Sequence, residues 1–319
     1  MMRRAIANAA RVRNTTAPNP WVGATLITAD GSVFDGATNP PGGPHAEIVA
    51  LHKAGLAVGA TLATTLEPCS HHGRTPPCTE SIIAAGISRV LVAIEDPDLL
   101  VAGSGIAALR AAGIDVSVGE LASEVTDQLL PYLTHRRTGR PFVVLKLAVT
   151  LDGQTAAADG TSRWITGPEA RADVHRLRAE SDAVLVGAGT VRLDNPALTV
   201  RHVAGQDQVR VVLGHAPATA AVHPCVELSG DLGAVLDELG SRGVLQVLVE
   251  GGATVANQFH REHLVDRYVL YVAPAFAGGD DSTGMFRGAG APNIEQLWRG
   301  RFRSVEHLGV DLRIELEAN

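Results

Sequence analysis

Cysteine and lysine are both scarce in this sequence, and long apolar runs are missing from it. The three cysteines, Cys69, Cys78 and Cys225, are too few and odd in number for a disulfide framework, which leaves metal binding, catalysis or packing as their uses. Cys225, alone behind His223-Pro224, reads as an ordinary buried or loop cysteine. With no stretch of about 18 apolar residues, a membrane-spanning helix is excluded. The N-terminal MMRRAIANAARVRN has no long apolar core and no small-residue cleavage site, so no export signal and a cytoplasmic location are expected. No basic run or acidic tail accompanies the net charge of −7, so neither nucleic acid nor membrane is expected as a partner. Only two of the 27 basic residues are lysines, Lys53 and Lys146. Where arginine is the rule, a retained lysine hints at a site that needs a compact ammonium.

Hydrophobic residues make up 45% of the 319 positions, enough to fill two cores at the usual domain size of roughly 100–200 residues. The first half alternates helix and strand patterns. A short alanine-rich helix over 3–13 precedes a strand pair over 22–28 and 33–35, broken by the turn at Asp30-Gly31. A helix over 45–55, a strand over 61–66 and a helix over 78–85 follow, then a buried strand over 90–94, a helix over 106–112 and a strand over 115–118. The polar, turn-rich stretch 134–141 reads as a linker. Beyond it the alternation restarts: strand 142–149, helix 168–180, strands 183–187 and 209–213, helix 232–241, strand 245–249, helix 253–259 and strand 267–272. Residues 301–317 alternate like an antiparallel edge pair. Two α/β domains are expected, 1–138 and 139–319.

His45-Ala46-Glu47 opens a predicted helix, with Pro68-Cys69 and Cys78 a strand and a loop later. One imidazole and two thiolates suit zinc and leave a fourth position for water, whose pKa the ion lowers. A carboxylate two residues past the histidine is placed to move the proton from that water to a leaving amine. Zinc nucleobase deaminases use this order of parts, H-x-E and then P-C-x-x-C, although here eight residues separate the cysteines. Two other readings stay open on spacing alone: a closed structural site with His71 or His72 as fourth ligand, and a nucleophilic Cys69.

The second half has no G-x-G-x-x-G between strand and helix, so no Rossmann fingerprint. It has glycine turns at the ends of two apolar strands, Val186-Gly187-Ala188-Gly189-Thr190 and Val249-Glu250-Gly251-Gly252-Ala253-Thr254. The second turn leads into a predicted helix, whose free N–H groups suit a phosphate; tight packing explains such turns equally well.

Taken together, LEPCSHHGRTPPC over 66–78, the upstream HAE and Asn19-Pro20-Trp21-Val22-Gly23 resemble the bifunctional riboflavin-biosynthesis deaminase/reductase family, in which the long cysteine spacing is normal. LKLAVTLDG, SRWIT, LRA, VGAGTV, DNPALTVR and VEGG, in that order, resemble its reductase half. The resemblance implies a cytidine-deaminase-like three-layer domain followed by a dihydrofolate-reductase-like domain, with zinc and NADPH as cofactors. It makes His45, Cys69 and Cys78 the ligands, Glu47 the proton carrier, and Asn19 and Arg74 substrate contacts, Arg74 by pairing with phosphate. In the second half it implies NADPH contacts from Ala148, Trp164, Thr190, Asp194 and the turn of Gly252, Ala253 and Thr254, running on to Gln258. Substrate contacts are implied for Lys146, Ser162, Arg178, Leu198, Arg201 and Glu250. The partner implied is a small phosphorylated pyrimidine, and the protein is expected to be a homo-oligomer, dimer or tetramer. The chain departs from the family pattern at Thr38, where a histidine is usual, at Asp96-Pro97-Asp98-Leu99-Leu100, where DPNP-like turns are usual, and in a shortened 202–249 region. A nucleic-acid deaminase acting on tRNA, and a zinc-stabilised protein with a degenerate second half, are the rival readings.

Overall fold

A computed structural model, which describes residues 1–72, 76–98, 102–203 and 207–318, divides between Arg140 and Pro141 into two units. The first begins with α1 (Met2–Ala10), the hairpin β1 (Gly23–Ile27) and β2 (Val33–Ala37), and α2 (Ala46–Ala54). It continues with β3 (Thr61–Leu66), α3 (Cys78–Ala84), β4 (Arg89–Ile94), α4 (Ser104–Ala111) and β5 (Asp115–Val118), and closes with α5 (Ala122–Gln128) and α6 (Leu130–Thr138). The sheet order is β2-β1-β3-β4-β5, antiparallel around β1 and parallel from β3 onward.

Two glycines show why the unit has three layers. A Cβ on Gly23 would lie 1.9 Å from the Ala5 carbonyl of α1, and one on Gly36 would lie 1.9 Å from the Ala46 carbonyl of α2. Gly36 pairs in register with Ala24, not Gly23, so the two glycines point to opposite faces of the sheet. Each face therefore receives a helix at backbone contact distance, α1 on one side and α2 on the other. Along α2's side α3 and α4 follow in turn, whereas α5 joins α1 through the bond from Gln128 to the Ile6 carbonyl.

The stretch read as a linker is largely helix. His135, Arg136 and Arg137 fill the last turn of α6, where cations suit the negative helix end, and the helix stops only at Gly139, in the left-handed conformation at φ 75°. Polarity marked an exposed helix end there, not a turn.

The second unit contains β6 (Phe142–Thr150), β7 (Gln154–Ala156), α7 (Pro168–Ala179), β8 (Ala183–Gly187), α8 (Ala188–Asp194), β9 (Val209–Leu213) and β10 (Val226–Leu228). After α9 (Leu232–Ser241) come β11 (Gln246–Val249), α10 (Ala253–Arg261), β12 (Arg267–Ala273), β13 (Thr283–Gly284), β14 (Gly300–Leu308) and β15 (Asp311–Ala318). Eight strands form one sheet in the order β10-β9-β8-β11-β6-β12-β15-β14, and β13 pairs with β7. The sheet is parallel from β10 to β12 and antiparallel at β15 and β14. The expected terminal edge pair is thus only half an edge: β15 lies inside the sheet between β12 and β14. Strands β6, β8 and β11 bury Leu145, Leu147, Leu185, Val247 and Val249 in one core with Leu236, Leu239 and Phe259. The first glycine turn also departs from expectation, because it too leads straight into a helix, α8. No helix among the described residues is long and apolar enough to cross a membrane.

Candidate active sites

Two helix starts and one strand end bring His45, Cys69 and Cys78 together. His45 caps α2 with extended backbone, Cys78 opens α3 behind Pro77, and Cys69 lies just beyond β3. His45 Nδ1 is 3.6 Å from Cys69 Sγ and 3.2 Å from Cys78 Sγ, and the three ligand atoms lie within 4.8 Å of one another. Tetrahedral zinc at ordinary bond lengths holds nitrogen and sulfur ligands roughly 3.5 Å apart, so donor set and spacing both fit that ion. The Cys78 N–H donates to Cys69 Sγ at 3.4 Å, and the Thr79 N–H and hydroxyl both donate to the Cys69 carbonyl, at 3.2 and 3.3 Å. The hydrogen bond with Cys78, then that with His45, pushes the Cys69 thiol down to about 4, and the same bond together with burial raises Cys78. The two sulfurs hold one proton between them, which a bound metal would displace. His45 is raised, mainly by its bond with Cys69.

Glu47, in the first turn of α2, is 3% exposed, and the Cys78 thiol points at its Oε2 from 3.7 Å. Burial pushes its carboxyl up to about 7 against the pull of His45, the range in which a group both takes and gives a proton. His71 and His72 are exposed, and His72 turns to Glu80 at 3.2 Å. Among the described residues neither belongs to the ligand group, although His71 lines the same cavity as His45, Cys69 and Glu47.

His45, Cys69 and Glu47 open on a cavity of about 330 Å³, which Asn19 and Thr38 also line. Thr38 is buried, and its hydroxyl accepts from the Val22 N–H at 3.2 Å. Arg74 lies outside the described residues. The cavity also receives side chains with no role assigned from the sequence. Asp96 is buried and accepts from the Tyr132 hydroxyl at 3.1 Å on each oxygen; burial raises its pKa. The Arg136 guanidinium lies over the Tyr132 ring at 5.1 Å and 3.7 Å from Asp98. Tyr132 and Arg136 sit four residues apart on α6, a helical spacing hidden by reading that stretch as a linker. Glu67 accepts four backbone N–H groups, from Asp96, Gly103, Gly105 and Ile106, at 3.2, 2.9, 2.8 and 3.1 Å, and so ties the β4–α4 connection to the ligand loop.

In the second unit β6 turns Lys146, Ala148 and Thr150 away from the buried Leu145, Leu147 and Val149. Burial lowers the Lys146 pKa against the attraction of Glu250, and its Nζ lies 5.9 Å from the Tyr271 ring. Arg178 on α7 and Glu250 just beyond β11 form a bidentate pair at 2.6 and 2.9 Å, so these two predicted substrate contacts first satisfy each other. Arg178 also donates to the Thr199 carbonyl at 3.2 Å. Leu198 is buried at φ 53°, and Arg201 is exposed. Ser162 is half-buried two residues before Trp164, which is 71% exposed and so has no core role. The Arg171 guanidinium stands 4.8 Å from the Trp164 ring, and Arg163 donates to the Asp194 carbonyl at 2.5 Å, joining this segment to the end of α8.

Gly187 and Gly252 cap α8 and α10 with extended backbone and no side-chain cap. A Cβ on Gly252 would sit 3.3 Å from Thr190 Oγ1, so the two turns meet, and one on Gly251 would sit 2.6 Å from Val255, which leaves that position no room for a side chain. Ala253 and Thr254 head α10, where helix N–H groups have no intrahelical partner. Such a start, beside a hydroxyl, fits the diphosphate of a dinucleotide such as NADPH.

Residues 1–94 match the family model described as the cytidine and deoxycytidylate deaminase zinc-binding region, and residues 141–314 match the RibD C-terminal domain. The riboflavin biosynthesis protein RibD of Mycobacterium tuberculosis is 42% identical over 328 residues, covering 98% of this chain and 95% of the relative. That of Escherichia coli is 37% identical over 359 residues, covering 99% and 98%. Among solved structures, Acinetobacter baumannii RibD (form 1) superposes with a TM-score of 0.93 at 36% identity, covering 100% of this chain and 98% of that one. A diaminohydroxyphosphoribosylaminopyrimidine deaminase/5-amino-6-(5-phosphoribosylamino)uracil reductase from Thermotoga maritima superposes with a TM-score of 0.91 at 34% identity, covering 100% and 97%.

Proposed function

The chain belongs to the RibD family of riboflavin biosynthesis, bifunctional enzymes with a zinc-binding deaminase region and an NADPH-using reductase domain, and on that premise we propose what its individual residues do. The substrate in this reading is 2,5-diamino-6-ribosylamino-4(3H)-pyrimidinone 5′-phosphate, which is first deaminated and then reduced from ribosyl to ribityl. The carrying observation is the convergence of His45, Cys69 and Cys78 beside a buried Glu47, with His45, Cys69 and Glu47 lining one cavity. When bound, zinc supplies an acidified water and NADPH supplies a hydride.

His45, Cys69 and Cys78 hold the ion. Glu47 Oε2 takes the proton of the attacking water and passes it to the departing ammonia, a role supported by a carboxyl whose pKa burial brings near neutrality. Asn19 orients the pyrimidine, and Arg74 takes the phosphate. In the second unit Arg201 and the Arg178–Glu250 pair anchor the phosphorylated ribosyl group, Ser162 and Leu198 border it, and Lys146 stands near the carbon to be reduced. Ala148, Trp164, Thr190, Asp194 and the turn from Gly252 to Thr254 hold NADPH. The reading includes a homo-oligomer, a cytoplasmic location suited to free thiols, and no nucleic-acid partner; the net charge of −7 supports the last.

To test it, purified zinc-loaded protein is given the diamino substrate, and ammonia release is followed with and without NADPH, alongside NADPH absorbance. Ammonia should appear in both cases, and NADPH should be consumed only after deamination. Oxidation of NADPH with no ammonia released would sink the proposed order.

A further inference from the structure

Three non-glycine residues between 195 and 202 have left-handed backbone: Asn195 at φ 41°, Leu198 at φ 53° and His202 at φ 69°. Side chains disfavour that region, so such a segment persists only where its surroundings hold it. Between Thr199 and Arg201 side chains do the holding. Arg178 donates to the Thr199 carbonyl at 3.2 Å, Asp207 accepts from the Val200 N–H at 2.8 Å, and His175 Nδ1 accepts from the Arg201 N–H at 3.1 Å. His175 and Arg178 lie one turn apart on α7, so a single helix face grips the segment from both ends of this stretch. His175 is 7% exposed, and its ring meets that of His202 edge-on at 5.1 Å. Accepting at Nδ1 requires the neutral imidazole with its hydrogen on Nε2.

We propose that His175 is a positioning residue of the reductase: by accepting the Arg201 N–H it holds the Leu198–Arg201 segment so that the Arg201 guanidinium meets the substrate phosphate. The proposal rests on the reading of Arg201 given above. Protonation at Nδ1 would turn the acceptor into a donor facing the Arg201 N–H and release the segment. The groups facing His175 are Arg178 on its own helix, Arg201 and His202 on the segment, and Glu250 beyond β11; burial first, then the cations, lowers its pKa and keeps it neutral.

Full-length zinc-loaded His175→Ala, His175→Asn and Arg201→Ala are compared with the parent protein in steady-state reduction of the phosphorylated aminouracil by NADPH, with deamination measured on the same samples. His175→Ala should raise KM for the aminouracil about tenfold, the scale of one lost hydrogen bond, with kcat within about twofold. KM for NADPH and deamination should stay at parental values. Asparagine offers an oxygen near the Nδ1 position and should restore KM to within about threefold of parental. Lowering the pH to about 5 should raise the parental KM more than that of His175→Asn, since the substrate phosphate takes up a proton in both and only the parent also loses its acceptor. An unchanged KM in His175→Ala while Arg201→Ala raises it overturns the positioning role alone, as does a His175→Asn no better than alanine. If Arg201→Ala leaves KM unchanged, the phosphate reading fails and the inference falls with it. Joint loss of both activities in His175→Ala and His175→Asn means that the residue serves folding, and also overturns it.

Discussion

Glu47 shows how burial sets the protonation of a single side chain. Its place in the first turn of α2 is local, but its pKa near 7 comes from burial, which no neighbour in sequence supplies. Glu47→Gln keeps size and hydrogen bonding while removing the proton carrier. It should retain zinc and fold but slow ammonia release by ~10² or more, as checked by metal analysis and turnover on the same sample. The same burial has a sign in stability. Folded Glu47 keeps its proton up to about 7, whereas the unfolded carboxyl releases it near 4.5, so the folded state binds more protons between those values. The Glu47 contribution to stability should therefore be fully present below this window and be lost as pH rises through it, by up to about 3 kcal/mol, against the opposite contribution of the lowered Cys69 thiol. Parallel denaturant titrations of zinc-free parent and Glu47→Gln across that range test this: the stability of the parent relative to the glutamine variant should fall as pH rises, and parallel pH profiles would contradict the assignment.

At the scale of elements, the deaminase cavity depends on how α4 and α6 meet the strand ends. A Cβ on Gly105 would lie 2.0 Å from the Pro68 carbonyl, next to the ligand Cys69. Gly105→Ala must push the start of α4 off the ligand loop or the loop off α3. Expected are a loss of about 1–3 kcal/mol, the usual cost of overpacking, and reduced zinc occupancy after purification. Full occupancy with parental thermal stability would show that the two elements have slack. Helix α6 was hidden in sequence because its apolar residues are few and its basic last turn resembles a linker, yet Tyr132 and Arg136 both reach the cavity. The β-strands were easier to read: those over 61–66 and 183–187 have the bounds the sequence predicts, the second because a buried strand of a parallel sheet appears as a continuous apolar run and the first because its threonines favour a strand.

For the whole molecule, each unit carries its own sheet, and the core around β6, β8 and β11 draws only on residues from Val143 to Leu316. Residues 141–319 expressed alone should fold cooperatively and oxidise NADPH with the deaminated substrate at about the parental rate, since a self-contained core is what an independent domain requires. Chelation of zinc from the full chain should abolish deamination and spare reduction; loss of both would show that the metal supports the second unit too.

The chain alone determined His45, Cys69 and Cys78 as a candidate metal group, the glycine turns and most strands, because each depends on residue type and short spacing. Tertiary structure decided what those parts face. Tyr132 reaches Asp96 across 36 residues, Arg178 reaches Glu250 across 72, and His175 reaches Arg201 across 26. Such pairings follow from strand order and helix placement, and local periodicity holds no record of either.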